Sequence, residues 1–237
     1  MKFVVGPDEE PFHILKSEVD RREYFANNNL GANCMVKIGK NKWSFQRPCL
    51  QSIDPDDFRP VAEYLSTGSF GLQHFENADQ KDKAFASCCS AWRVADDLVM
   101  EDLLDYVVKK MDKLRPWGLL ETLAFAEVVY IMEGAPLPAY RLMKFALSEL
   151  VADNYLVYLR EYPEIFGERM LRIPEFLDDV HYARGKKLEK MRAESQRYDS
   201  AIDVEGGGTD VVIPVLEVEQ VHEATDLDEK QDEREHP

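Results

Sequence analysis

Hydrophobic and polar positions alternate in short runs near the N-terminus of the chain. Apolar residues 3–5 and 12–15 flank a turn-rich segment, which predicts a β-hairpin. The polar segment 17–25 follows at once and predicts a helix with a serine as its N-cap. Residues 35–38 and 43–45 surround a Gly-Lys-Asn turn and predict two further strands.

The segment 54–68 has the clearest helical pattern in the chain. Asp54 is the predicted N-cap, Pro55 stands in the first turn, where a helix tolerates proline, and Gly68 is the predicted end. The apolar residues of this segment fall on one face at helical spacing: Phe58, Val61, Ala62 and Leu65.

Helical periodicity dominates the chain from residue 81 onward. Residues 92–111 place an apolar stripe opposite acids and lysines and predict one helix. The same pattern predicts helices over 116–132, 138–159 and 174–196. Because the strands come first and do not alternate with helices, the predicted fold class is α+β, a small sheet packed against a helical cluster, rather than a doubly wound nucleotide-binding sheet.

Charge is distributed unevenly along the 237 residues, whose net charge is −16. Residues 199–237 hold thirteen acids against two bases, which predicts a disordered acidic tail. The first 198 residues therefore carry −16 + 11 = −5, which is ordinary for a globular domain. Nucleic-acid binding would need a basic stripe that neutralises phosphates, so no nucleic-acid partner is expected.

Cysteine usage and hydropathy indicate an intracellular protein. Cys34, Cys49, Cys88 and Cys89 form no CxxC pair, which favours reduced thiols over a disulfide framework. The N-terminus shows no signal-peptide pattern. The most apolar segment, 119–132, contains two glutamates and is too short to span a bilayer. We therefore expect a cytoplasmic or nuclear location and no membrane partner.

The sequence contains no motif that predicts catalysis. A phosphate-binding glycine loop, a zinc-protease helix and a nucleophile elbow are all absent, and the five histidines are scattered. We expect no catalytic residue, metal, cofactor or small-molecule substrate. One alternative stays open: a small helical enzyme that uses Cys88 or Cys89 as a reactive thiol, if these residues are not simply small buried hydrophobes.

Several stretches of the chain together resemble the BTB/POZ domain family in its fungal form. Residues 3–25, ending in Arg-x-x-Tyr-Phe, look like the hairpin and first helix of that family. Residues 53–70 look like its third helix and the stop that follows, and 92–111 look like its next helical pair. The segments 125–132 and 163–180 are similar to the helical extension of fungal members.

This resemblance implies three parts and a function. The parts are a BTB/POZ-like domain over 1–114, a helical extension over 115–198 and the acidic tail over 199–237. BTB domains are adaptors that dimerise, bind corepressors or dock onto the cullin scaffold of ubiquitin ligases. The chain is therefore predicted to be a non-enzymatic protein-interaction module in ubiquitin-ligase assembly or transcriptional regulation, with a homodimer or a cullin as candidate partners.

The resemblance also implies a candidate contact surface in the loop after the third helix. Family members dock cullins there, often through a hydrophobic-x-Glu pattern, whereas here the phenylalanine and the glutamate are adjacent. The candidate interaction residues are Phe70, Leu72, His74, Phe75 and Glu76.

A second candidate interaction site lies in the acidic tail. Val212, Ile213 and Val215, with Asp210 before them and Glu217 after, resemble a SUMO-interacting motif. Such a segment could add as a strand to a sheet edge while its acids meet a basic surface. An idle apolar stretch and a strand that docks onto its own domain are the alternatives.

Overall fold

A computed structural model describes the backbone of residues 1–26, 29–131 and 137–205. Helices make up most of these residues, and four short strands form one mixed sheet near the N-terminus. The predicted α+β class is therefore confirmed.

The sheet has the strand order β2-β1-β4-β3. Strand β1 pairs antiparallel with β2 and parallel with β4, and β3 pairs antiparallel with β4. Both predicted hairpins are confirmed by this pairing. The strands are β1 Lys2–Val5, β2 Glu10–His13, β3 Met35–Gly39 and β4 Lys42–Phe45.

Two short helices lie between β2 and β3, and the other described helices come after the last strand. In the described residues the helices are α1 Lys16–Val19, α2 Leu30–Asn33, α3 Pro55–Thr67, α4 Ala78–Leu98, α5 Glu101–Lys113, α6 Leu119–Ile131, α7 Pro138–Glu161, α8 Pro163–Arg172 and α9 Pro174–Glu205. Helix α3 begins and ends as the sequence predicts. The Asp54 carboxylate accepts the Asp56 N–H at 2.8 Å, and Gly68 has the left-handed φ of +85°.

The helix predicted over 17–25 is wrong in its length. Helix α1 ends at Val19, Arg22 is extended, and a separate 3₁₀ turn runs over Glu23–Phe25. The break follows from packing, because Tyr24 and Phe25 are both buried and meet edge to face at 4.9 Å. Both rings pack on Phe45 of β4, with ring centres 6.4 Å away for Tyr24 and 5.4 Å away for Phe25.

The single helix that the apolar stripe predicts over 92–111 is also wrong, because the structure divides the segment into α4 and α5. Two helices in this segment are what the BTB/POZ resemblance implies. The break lies at Val99, which has a φ of +57°. The N–H of Met100 donates to the carbonyl of Ala95 at 2.8 Å, as in a left-handed helix cap. The apolar stripe continues across the break, and a valine replaces the usual glycine, so the sequence pattern conceals this boundary.

Val99→Gly is expected to raise the free energy of unfolding by about 1 kcal/mol, because a β-branched residue is strained at positive φ. Its side chain is 38% exposed, so little packing is lost. Val157 is a matched control, because it is 42% exposed but lies inside α7. Val157→Gly should lower the free energy by roughly 0.5–1 kcal/mol. Urea unfolding measures whether the two substitutions change the free energy of unfolding in opposite directions. If both variants are destabilised, Val99 is not strained.

One hydrophobic core runs through residues 1–191, which form a single compact unit. The division at residue 114 that the BTB/POZ resemblance implies stays a prediction. Trp92 of α4 shows the continuity of the core, because its fully buried ring lies 5.6 Å from the ring of Phe125 in α6 and 5.1 Å from that of Tyr140 in α7.

Residues 192–237 belong to a second unit. Within it the backbone of α9 continues to Glu205, into the segment 199–237 for which the sequence predicts disorder. The remainder of that segment, with the candidate residues Val212, Ile213 and Val215, lies outside the described residues.

Candidate protein-interaction loop

The α3–α4 loop, residues 69–76, is fixed at both ends by helix caps. At its start, the Gly68 N–H donates to the carbonyl of Tyr64 at 2.7 Å and ends α3. At its end, the Asn77 side chain accepts the Gln80 N–H at 2.9 Å and begins α4. These local contacts place the loop between two long helices.

The buried side chain of Lys110 in α5 hydrogen-bonds to the backbone of the loop. The side chain is only 4% exposed, and its Nζ donates to the carbonyls of Phe70 at 2.6 Å and Leu72 at 2.9 Å. The same Nζ lies 5.0 Å from the centre of the Phe70 ring and 5.9 Å from that of Phe75. Charge-assisted hydrogen bonds of this kind are roughly twice as strong as neutral ones, so one lysine fixes the loop backbone.

Two neighbouring side chains add further anchors to the loop. The Gly71 N–H donates to the Glu63 carboxylate at 3.0 Å, and the Gln73 amide donates to the Tyr106 hydroxyl at 3.2 Å. The Tyr106 ring also lies 5.3 Å from that of Phe70. The loop is thus bonded to both α3 and α5.

The five candidate residues differ in exposure. Phe70 and Phe75 form the floor of the loop, and Leu72, His74 and Glu76 form its exposed edge. Phe70 is fully buried, and its ring packs on that of Tyr106 in α5, so it adds nothing to the exposed surface of the loop. Phe75 is half-buried. Leu72 is 51% exposed, and His74 and Glu76 are exposed beside it. The accessible edge therefore offers one aliphatic side chain, one imidazole and one carboxylate.

Lys110 is the residue that the sequence reasoning missed. It lies on the buried face of α5 with Leu103, Val107 and Met111, at helical spacing. A lysine inside an apolar stripe was the available signal, because lysine is almost never fully buried unless it is paired. Burial lowers the pKa of Lys110, and the carboxylate of Glu63 opposes this shift.

Cys88 and Cys89, the candidate reactive thiols of the alternative enzyme hypothesis, lie in the core. Cys88 is fully buried and Cys89 nearly so. Burial raises the pKa of both thiols from 9.0 to about 12. A reactive cysteine needs a lowered pKa and access to solvent, so these environments disfavour a nucleophilic role.

These raised pKa values predict loss of stability in alkali. Each thiol has a higher pKa in the folded chain than in the unfolded chain. The stability that the protonated thiol contributes is therefore complete below pH 9.0 and is lost as the pH rises to about 12. For each thiol the free energy of unfolding should fall by about 1.4 kcal/mol per pH unit in that window. Urea titrations of wild type and Cys88→Ala measure the slope.

The Cys88→Ala chain should show the smaller slope, whatever its absolute stability. Leu103→Ala is the matched control, because it opens a cavity in the same core without removing a titratable group. If Cys88→Ala and Leu103→Ala keep the same slope as wild type, the prediction is wrong.

The part of the chain that the structure describes holds neither a cluster of metal ligands nor a membrane-spanning helix. No group of three or more histidine, cysteine or acidic side chains there is placed to hold a metal ion. No described helix is long and apolar enough to cross a membrane.

Comparison with protein-family models, curated proteins and solved structures gives no match for this chain. The resemblance to BTB/POZ domains therefore rests on the sequence motifs alone and stays a prediction. Function has to be inferred from the contacts of the α3–α4 loop and the chemistry of its exposed side chains.

Proposed function

We propose that this chain is a non-enzymatic protein-interaction module of the BTB type, which docks a protein partner through the α3–α4 loop. The observation that carries the proposal is the pair of hydrogen bonds from the buried Lys110 to the carbonyls of Phe70 and Leu72. They hold the loop in one conformation before any partner binds. A preorganised loop loses little conformational entropy on binding, which favours affinity.

The exposed edge of the loop defines the chemistry of the partner surface. Leu72 offers an aliphatic anchor for a shallow apolar pocket. Glu76 beside it favours a partner with a basic rim, and rim charges set specificity and association rate more than affinity. Two partner classes follow from the BTB resemblance: the cullin scaffold of a ubiquitin ligase and a second copy of this chain.

Partner capture with matched variants tests the proposal. Leu72→Asp places a charge on the exposed edge, and Leu171→Asp is the control because Leu171 is 73% exposed but lies on α8. Crosslinking and affinity purification should recover a protein with wild type and Leu171→Asp, and lose it with Leu72→Asp. Recovery of the same protein by Leu72→Asp would contradict the proposal.

Two direct measurements distinguish the partner classes. Titration of purified chain with a purified cullin scaffold detects adaptor docking, whereas the mass of the purified chain in solution detects a self-dimer. Each positive result should be sensitive to Leu72→Asp and insensitive to Leu171→Asp. A chain that stays monomeric and binds no cullin would leave the captured protein as a partner of another class.

A further inference from the structure

Strand β3 forms one outer edge of the sheet in the described residues, because it pairs with β4 on one side only. The Gln46 N–H donates to the Cys34 carbonyl at 2.9 Å. In an antiparallel ladder, every second residue directs its backbone N–H and C=O groups towards the partner strand, so this bond shows which residues of β3 do so. Val36 therefore directs its backbone groups towards β4. Met35 and Lys37 direct theirs to the open side.

The open edge also carries exposed aliphatic side chains. Val36 is 41% exposed and Ile38 is 54% exposed. Both side chains belong to this edge strand, so the open edge is partly apolar. Unpaired backbone groups beside apolar side chains provide a template for an additional strand.

The hairpin formed by β3 and β4 carries three exposed lysines. Lys37, Lys40 and Lys42 are exposed, and none of them forms an ion pair in the part of the chain that the structure describes. Edge lysines oppose pairing between identical strands, because two copies would bring like charges together. The same charges attract a strand that is flanked by acids.

We infer that β3 is a docking edge for an extended apolar segment of another protein that carries acidic residues on its flanks. The segment adds to the sheet beside β3, with ladder hydrogen bonds to Met35 and Lys37. Its side chains cover Val36 and Ile38 while its acids pair with the lysines. The pairing register of β3 shifts between Lys37 and Gly39, so the added ladder is short and the charges supply much of the selectivity.

A synthetic peptide pair tests this inference on the full chain. The probe is a labelled peptide with a Val-Thr-Val-Thr-Val core and glutamates on both flanks, and its partner peptide has lysines there instead. Fluorescence anisotropy should show saturable binding of the glutamate peptide, weakened by salt, and at least about tenfold weaker binding of the lysine peptide. Equal binding of the two peptides would overturn the inference.

Two substitutions at Lys37 separate backbone pairing from charge. Lys37→Pro removes the outward N–H, and edge strands tolerate proline at such positions. It should weaken binding of the glutamate peptide at least about tenfold, whereas Lys37→Ala keeps the N–H and should weaken it only about two- to threefold. Circular dichroism checks that Lys37→Pro is folded, and unchanged binding by the folded variant would overturn the inference.

A variant with reversed charges on the β3–β4 hairpin tests the inference if Lys37→Pro does not fold. Lys37→Glu, Lys40→Glu and Lys42→Glu combined change only exposed positions. This chain should bind the lysine peptide in preference to the glutamate peptide. An unchanged preference, or a wild-type chain that associates through β3 with its own copies in a sedimentation dilution series, would overturn the inference.

Discussion

Trp92→Ala is expected to lower the free energy of unfolding by about 3–5 kcal/mol, the largest effect among the predictions. Trp92 is fully buried, and its ring contacts those of Phe125 and Tyr140. The substitution removes the aromatic packing that joins α4 to α6 and α7, and it leaves a cavity that these helices cannot fill. Urea or thermal unfolding measures the loss.

The unfolding of the Trp92→Ala chain should remain one cooperative transition, because residues 1–191 share one core. Phe145→Ala on α7 is the control: its side chain is 64% exposed, so the change should stay within about 0.5 kcal/mol. Two separate transitions, or a stably folded fragment of residues 1–114, would contradict the shared core.

Lys110→Met is expected to destabilise the chain by about 2–3 kcal/mol and to abolish partner capture. The substitution keeps the aliphatic volume but leaves the carbonyls of Phe70 and Leu72 without their donor, and a hydrogen bond from a charged group contributes about 1.5–3 kcal/mol. Relief of the buried charge offsets part of the loss. Without this anchor, the exposed edge of the α3–α4 loop no longer has one fixed position.

Lys113→Met is the matched control for that experiment. Lys113 lies on the same helix but is exposed, so the substitution should change stability by less than about 0.5 kcal/mol and leave capture intact. Denaturant unfolding and partner capture are measured on both variants. If Lys110→Met retains wild-type stability and captures the partner, the lysine is not the anchor of the loop.

Local signals account for the elements that the sequence predicted well. Helix α3 is specified by its Asp54 cap, by Pro55 in its first turn and by Gly68 at its end, all of which act within a few residues. The two hairpins were predicted for the same reason, since turn residues and alternating apolar positions identify them. Interactions between neighbours in sequence are therefore readable without knowledge of the tertiary structure.

The missed features depend on residues that are distant in sequence. The break at Val99 has no glycine to mark it, and the apolar stripe continues across it. The burial of Phe70 and the role of Lys110 join residues 40 positions apart, so no local window contains both. The candidate loop was found from a family resemblance, but its division into a buried floor and an exposed edge required the structure.

Amide hydrogen exchange shows where the partner docks, and we expect it to report the edge of the α3–α4 loop. Exchange is recorded for the chain alone and in complex with the protein that the wild-type chain captures. The amides of residues 69–76 should exchange at least about tenfold more slowly in the complex. Unchanged exchange over these residues, with new protection confined to another surface, would contradict docking on this loop.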